Sequence, residues 1–137
     1  MAVQIYINFD GNCEEAVNYY AKVFENPAPV FMRFKDQPSP DYPLTIEAGN
    51  RIMHTELKIE GDTIMFSDVF PGMELVVGNN LSLTVISKDI EHTRRHFQRL
   101  KEGGEVGMEL QETFWSPLYG NLTDRYGINW QFSTEPK

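Results

Sequence analysis

Two stretches of this chain share one device, a turn closed by glycine and followed by alternating apolar residues. They are EGDTIMFSD at 60–68 and YGINWQFST at 126–134. Aligning Gly61 with Gly127 brings Ile64 onto Trp130 and Phe66 onto Phe132. A second alignment, Tyr20 on Phe97, brings Ala16 onto Thr93 and Val23 onto Leu100. The two offsets differ because the loops of the first half are longer. Self-similarity on this scale signals one supersecondary unit written twice, and it restricts the folds available more than any single motif does.

The order of elements agrees. VQIYINF (3–9) alternates and is rich in β-branched and aromatic residues, so it predicts a strand. Asn12 and Glu15 have capping-box spacing, and apolar residues then recur at helical intervals, predicting a helix over 13–25 that ends at NPAP. VFMRF (30–34) predicts a strand, and KDQPSPDYP (35–43) a proline-rich loop. RIMHTELKI (51–59) and DTIMFSDV (62–69) predict a hairpin turned at Glu60–Gly61. The second half repeats the pattern. A strand is expected at 81–86, then a helix over 89–102 stopped by Gly103–Gly104, then a strand at 105–110. LYGNLTD and INWQFS follow as strands turned at Tyr126–Gly127.

The expected fold is therefore α+β: two βαβββ modules, about 1–70 and about 80–137, in a single domain spanning 1–137. Each module has a sheet and only one helix. The helix covers one sheet face, and the other face curves around something. Two such sheets form an open, barrel-like concave site for a small-molecule ligand. Edge strands left over favour a homodimer.

Composition narrows the partners. With 12 basic and 20 acidic residues the net charge is −8, which disfavours nucleic acid and anionic membrane surfaces. No apolar run approaches the roughly 20 residues of a membrane span, and the N-terminus has no signal-peptide pattern. A single cysteine, Cys13, forms no internal disulfide, which suits a reducing, cytoplasmic setting.

The stretches YINFDGNCEEAVNYYAKVFE (6–25), MHTELKIEGDTIMFSD (53–68) and ETFWSPLYGNLTDRYGINWQF (112–132) resemble the glyoxalase/bleomycin-resistance/dioxygenase superfamily of vicinal oxygen chelate proteins. Within it they resemble the PhnB-like branch, often labelled demethylubiquinone methyltransferase-like. The resemblance implies that metal-dependent members hold a divalent ion with His, Gln or Glu from the first and last strands of each module. Gln131 stands where that pattern most often has a ligating glutamate, and Met65 is its counterpart by the glycine alignment. The opening strands offer Tyr6, Asn8, Ser82 and Thr84 at such positions. That set carries no negative charge, so it suits a hard divalent ion poorly. Methyl transfer is also poorly served: the glycine cluster EGGEVG (102–107) leaves a helix rather than a parallel strand.

Period two puts His54, Glu56 and Lys58 on one face, opposite Thr63, Met65 and Ser67 of the next strand. A histidine beside a glutamate can be an oriented base, so His54 and Glu56 are the catalytic candidates. Tyr6, Asn8, Met65, Ser67, Trp115, Tyr119 and Gln131 are the ligand-binding candidates, with Trp115 on a lid before the last hairpin. Cys13 lies in the first turn of a helix, where the dipole favours a thiolate, but no histidine is near it in sequence. It reads as a surface or half-buried residue without a role. Asp68 reads as a turn or capping carboxylate, and His92 and His96 as part of a solvated helix face.

Three functions follow from this reading. The first is binding or transforming a small molecule without the usual metal set. The second is a divalent-metal lyase, isomerase or dioxygenase using His54, Glu56 or Gln131. The third is a drug-sequestering dimer, whose cationic ligand the acidic charge would attract. The cofactor stays open between none and a divalent metal.

Overall fold

The computed structural model describes residues 2–38, 40–41 and 44–135. Ser39, Tyr42 and Pro43 of the expected loop lie outside the described residues. The chain divides into two compact units, Met1–Val76 and Val77–Lys137, and the division falls between the two expected modules.

The first unit contains β1 (Ile5–Phe9), α1 (Cys13–Val23), β2 (Met32–Arg33), α2 (Ile46–Asn50), β3 (Ile52–Ile59) and β4 (Asp62–Asp68). Its open sheet has the order β1-β4-β3-β2. β1 runs parallel to β4, and β3 antiparallel to both β4 and β2. The second unit contains β5 (Leu83–Ser87), α3 (Ile90–Leu100), β6 (Glu105–Gln111), β7 (Tyr119–Thr123) and β8 (Asn129–Thr134). Its order is β5-β8-β7-β6, with β5 parallel to β8 and the other pairs antiparallel. Each strand of the first sheet thus has a counterpart in the second, and the repeat seen in the sequence is a repeat of topology.

Burial explains why the pattern holds. In the first unit Phe66 is fully buried, with Tyr20 of α1 stacked on it at 5.8 Å and Phe9 at 6.3 Å. In the second unit Phe132 meets Phe97 of α3 edge-on at 5.5 Å, and Trp130 is 1% exposed. Each such ring removes roughly 150–250 Å² from water, the largest single contributions to either core. The turns are equivalent as well: Gly61 has φ +85° and Gly127 φ +86°, a region where only glycine is unstrained. Glu60 joins Gly61 at φ +50°, giving the two consecutive left-handed residues of a tight hairpin.

The differences from expectation are local. β1 begins at Ile5, and β2 keeps only two residues of the expected 30–34. After Arg33 the chain turns into a single 3-10 turn, Phe34–Asp36, held by the Arg33 N–H donating to Asp36 Oδ2. α2 was not expected. Five residues are too short to show a period, and its signal is Thr45, whose Oγ1 accepts from Ala48 N. The capping box at Asn12 and Glu15 does not form, since Asn12 makes no side-chain cap. The Asp68 carboxylate replaces it, reaching from the end of β4 to accept from Cys13 N at 3.0 Å. Asp89 does cap α3, accepting from His92 N.

Candidate functional site

In the first unit, α1 covers the sheet face that carries Phe66, Ile64 and Leu57, which leaves the opposite face open. Strand register builds that open face. Tyr6, Met65 and Glu56 form one row across β1, β4 and β3, and Asn8 stands beside Ser67 in the next. His54 joins them by alternation along β3 and faces Met32 of β2. Every site residue that the sequence assigns to this unit is therefore on one face. The Tyr6 hydroxyl lies 3.3 Å from His54 Nδ1, with the rings tilted by 45° at 5.9 Å. His54 Nε2 lies 3.5 Å from Glu56 Oε2. Ser67 Oγ donates to Asn8 Oδ1 at 2.9 Å.

In the second unit the open face is mostly amides and hydroxyls, with the Glu105 carboxylate at its β6 edge beside Thr123. Thr84, Gln131 and Asn121 form one row across β5, β8 and β7. The Tyr119 hydroxyl donates to Gln131 Oε1 at 2.6 Å, and Gln131 Nε2 donates to Ser82 Oγ at 2.7 Å. Thr123 Oγ1 donates to Asn129 Oδ1 at 2.8 Å. These groups line a cavity of about 490 Å³. Trp115 is half exposed and meets Tyr119 edge-on at 5.2 Å, and Phe114, 98% exposed, meets Trp115 at 4.8 Å. Trp115 thus approaches the cavity through Tyr119 rather than lining it. Asn121 and Thr123 were missed by the sequence reading. Counting register outward from the Gly127 turn pairs Asn121 with Gln131 and Thr123 with Asn129, and that signal was available.

The divalent ion that the superfamily resemblance implies does not fit these donors. Met65 offers a thioether and Gln131 an amide whose two ends are already engaged. His54 and Glu56 supply two ligands, and no third His, Cys, Asp or Glu joins them among the described residues. A catalytic zinc keeps three protein ligands, and magnesium or calcium needs a shell of oxygens.

Other polar groups have structural explanations. Asp68, 4% exposed, accepts from Gly11 N and Cys13 N through Oδ1 and from Ile52 N through Oδ2. Asp124 likewise accepts from Tyr126 N and Ile128 N, and from Trp130 Nε1. Cys13 is fully buried, not at the surface. Burial pushes its thiol pKa well up, and the nearby Asp68 and Glu14 charges add to this, so the helix dipole does not make it a nucleophile. His96 is 2% exposed, which corrects the reading of a solvated face, and its ring centroid lies 3.9 Å from that of His92.

A family model described as 3-demethylubiquinone-9 3-methyltransferase matches residues 1–133. The chain belongs to this family. Among solved structures it resembles protein PA1353 from Pseudomonas aeruginosa, with a TM-score of 0.83 and 29% identity over 99% of this chain and all of that one. It also resembles a Bacillus cereus protein described as a putative 3-demethylubiquinone-9 3-methyltransferase, PhnB protein. That match has a TM-score of 0.74 and 22% identity, covering 98% and 99% of the two chains. A glyoxalase-related enzyme from Fulvimarina pelagi shares the fold at TM-score 0.64 and 15% identity, over 99% of this chain and 90% of that one. The family thus sits on the glyoxalase-like α+β fold. No helix among the described residues is long and apolar enough to cross a membrane.

The family's description names a methyl transfer, which calls for a methyl-donor cradle. Gly103 and Gly104 follow α3 and lead into β6, which contains Gly107 and pairs antiparallel with β7. A nucleotide-type cofactor loop leaves a parallel strand and opens a helix, the reverse arrangement. The residues present do not fit such a cofactor.

Proposed function

We propose that this protein binds a flat, polar small molecule against the open face of its second sheet, without a metal ion. One observation carries the reading: Gln131 occupies the position implied for a ligating carboxylate, and its amide is held at both ends by Tyr119 and Ser82. An amide fixed in this way presents a set pattern of donor and acceptor to a ligand and no charge to a cation. The Tyr119 ring, braced edge-on by Trp115, supplies stacking area beside it. Together they select an aromatic molecule bearing carbonyl and hydroxyl groups.

The test is a thermal-shift and calorimetric screen of such compounds. A hit should lose about tenfold in affinity, or roughly 1.4 kcal/mol, on Gln131→Leu, and somewhat less on Tyr119→Phe. Elemental analysis of the purified protein is the counter-test. Stoichiometric zinc, manganese or iron, lost on His54→Ala, would overturn the metal-free reading.

A further inference from the structure

We infer that Tyr6, His54 and Glu56 form a proton relay that deprotonates an acidic hydroxyl group of a ligand at the open face of the first sheet. The direction of the relay follows from the acceptors. The Glu56 carboxylate, its Oε2 3.5 Å from His54 Nε2, favours the ring proton on that nitrogen through its charge. Neutral His54 then presents a lone pair at Nδ1. In that tautomer the Tyr6 hydroxyl, 3.3 Å away, is the donor to it. The phenol's own proton is committed to His54, and its oxygen lone pairs are left for a visitor. Tyr6 is 45% exposed, so that oxygen is open to a ligand.

The step balances without any further reactant. The ligand O–H proton passes to Tyr6 Oη as the Tyr6 proton passes to His54 Nδ1. The ligand is left as an oxyanion, and the imidazolium is stabilised by the Glu56 carboxylate. Tyr6 touches the reacting atom, His54 takes the proton, and Glu56 is the positioning residue. Free energy then selects the ligand. A simple phenol is too weak an acid to yield its proton readily to an imidazole. Hydroxyl groups of acidity near that of imidazolium are favoured: phenols bearing electron-withdrawing groups, and enols of dicarbonyl compounds. Lys58 shares the face of β3 and is the one other charge on it that could favour an anion.

The probe is 4-nitrophenol, whose phenolate is yellow and whose phenol is not. It is added to the full chain at the pH where the free compound is half ionised. Binding should convert the bound fraction to phenolate, up to a doubling of its absorbance. Tyr6→Phe and His54→Gln should abolish the conversion, and Lys58→Met should preserve it. Long-range proton–nitrogen NMR should place the His54 proton on Nε2. Retention of the conversion in Tyr6→Phe, its loss in Lys58→Met, no conversion in the native protein, or a His54 proton on Nδ1 would each overturn the relay. Because the face belongs to the first unit, Gln131→Leu should leave the conversion unchanged, which separates this inference from the proposed ligand site of the second.

Discussion

The two units share strand order, helix placement and glycine turn, yet their open faces differ in kind. The first carries a phenol hydrogen-bonded to an imidazole that lies 3.5 Å from a carboxylate, and the second carries amides, hydroxyls and exposed rings with the Glu105 carboxylate at its edge. The buried faces, in contrast, match ring for ring at Phe66 and Phe132. Packing explains why. A buried face must fill its space at near-crystalline density, so its residues stay bulky and apolar. An open face is bound only by solubility and function, so one topology accommodates different polar groups on its two sheets.

The units also place their buried carboxylates at opposite ends of the equivalent hairpin. Asp68 closes the end of β4 on the start of α1, whereas Asp124 closes the turn between β7 and β8. At the position equivalent to Asp68, the second unit has Thr134, and the Ser116 hydroxyl serves the backbone there, accepting from Leu118 N and Thr134 N. The largest predicted effect tests this exchange. Asp68→Ala leaves three backbone N–H groups without their acceptor and should cost about 3–5 kcal/mol in urea unfolding. Asp68→Asn should cost less. Its amide oxygen still accepts from Gly11 and Cys13, but its NH₂ group faces the Ile52 donor. Asp124→Ala should cost a similar amount, because Trp130 Nε1 is buried with it. A cost below about 1 kcal/mol for either alanine variant would show that water replaces the carboxylate.

The sequence made the repeat legible because its cause is local: period-two burial, a left-handed turn and a helical apolar stripe all act over a few residues. The faces of Gln131 and of His54 and Glu56 followed from the same alternation. What escaped reading depends on partners distant in sequence. Nothing near Asn12 shows that a carboxylate more than fifty residues away would cap α1 in place of its own box. Nothing in ETFWSP shows that Trp115 would reach the cavity only through Tyr119. Cys13 was misplaced for a related reason, since the first turn of a helix is exposed only where no strand end covers it.

A smaller effect probes the two turns. Both glycines sit near φ +85°, so alanine at either meets the left-handed penalty of about 1–2 kcal/mol. A Cβ at Gly61 meets nothing within 4 Å, while one at Gly127 meets Val77 Cγ1 at 3.2 Å. Gly127→Ala should therefore cost a few tenths of a kcal/mol more, and Val77→Ala should erase that difference. Equal costs in the native background would mean that Val77 moves freely.

The smallest effect concerns charge. The first unit uses arginines that also hold backbone: Arg33 pairs with Glu14 at 2.7 Å and donates to Asn50 O at 2.7 Å. In the second unit Lys88 lies 3.7 Å from Glu135 and is 84% exposed. An exposed pair gains little in water and loses side-chain entropy, so Lys88→Ala should change stability by less than about 0.5 kcal/mol. Arg33→Ala should cost up to about 1 kcal/mol, because a hydrogen bond to the backbone goes with the ion pair. Salt separates the two terms. Raising the ionic strength from about 0.1 M to 1 M shortens the screening length from about 10 Å to about 3 Å. The Lys88 effect should vanish under those conditions, while part of the Arg33 effect persists. Loss of both would show that Arg33 acts through charge alone, as Lys88 does.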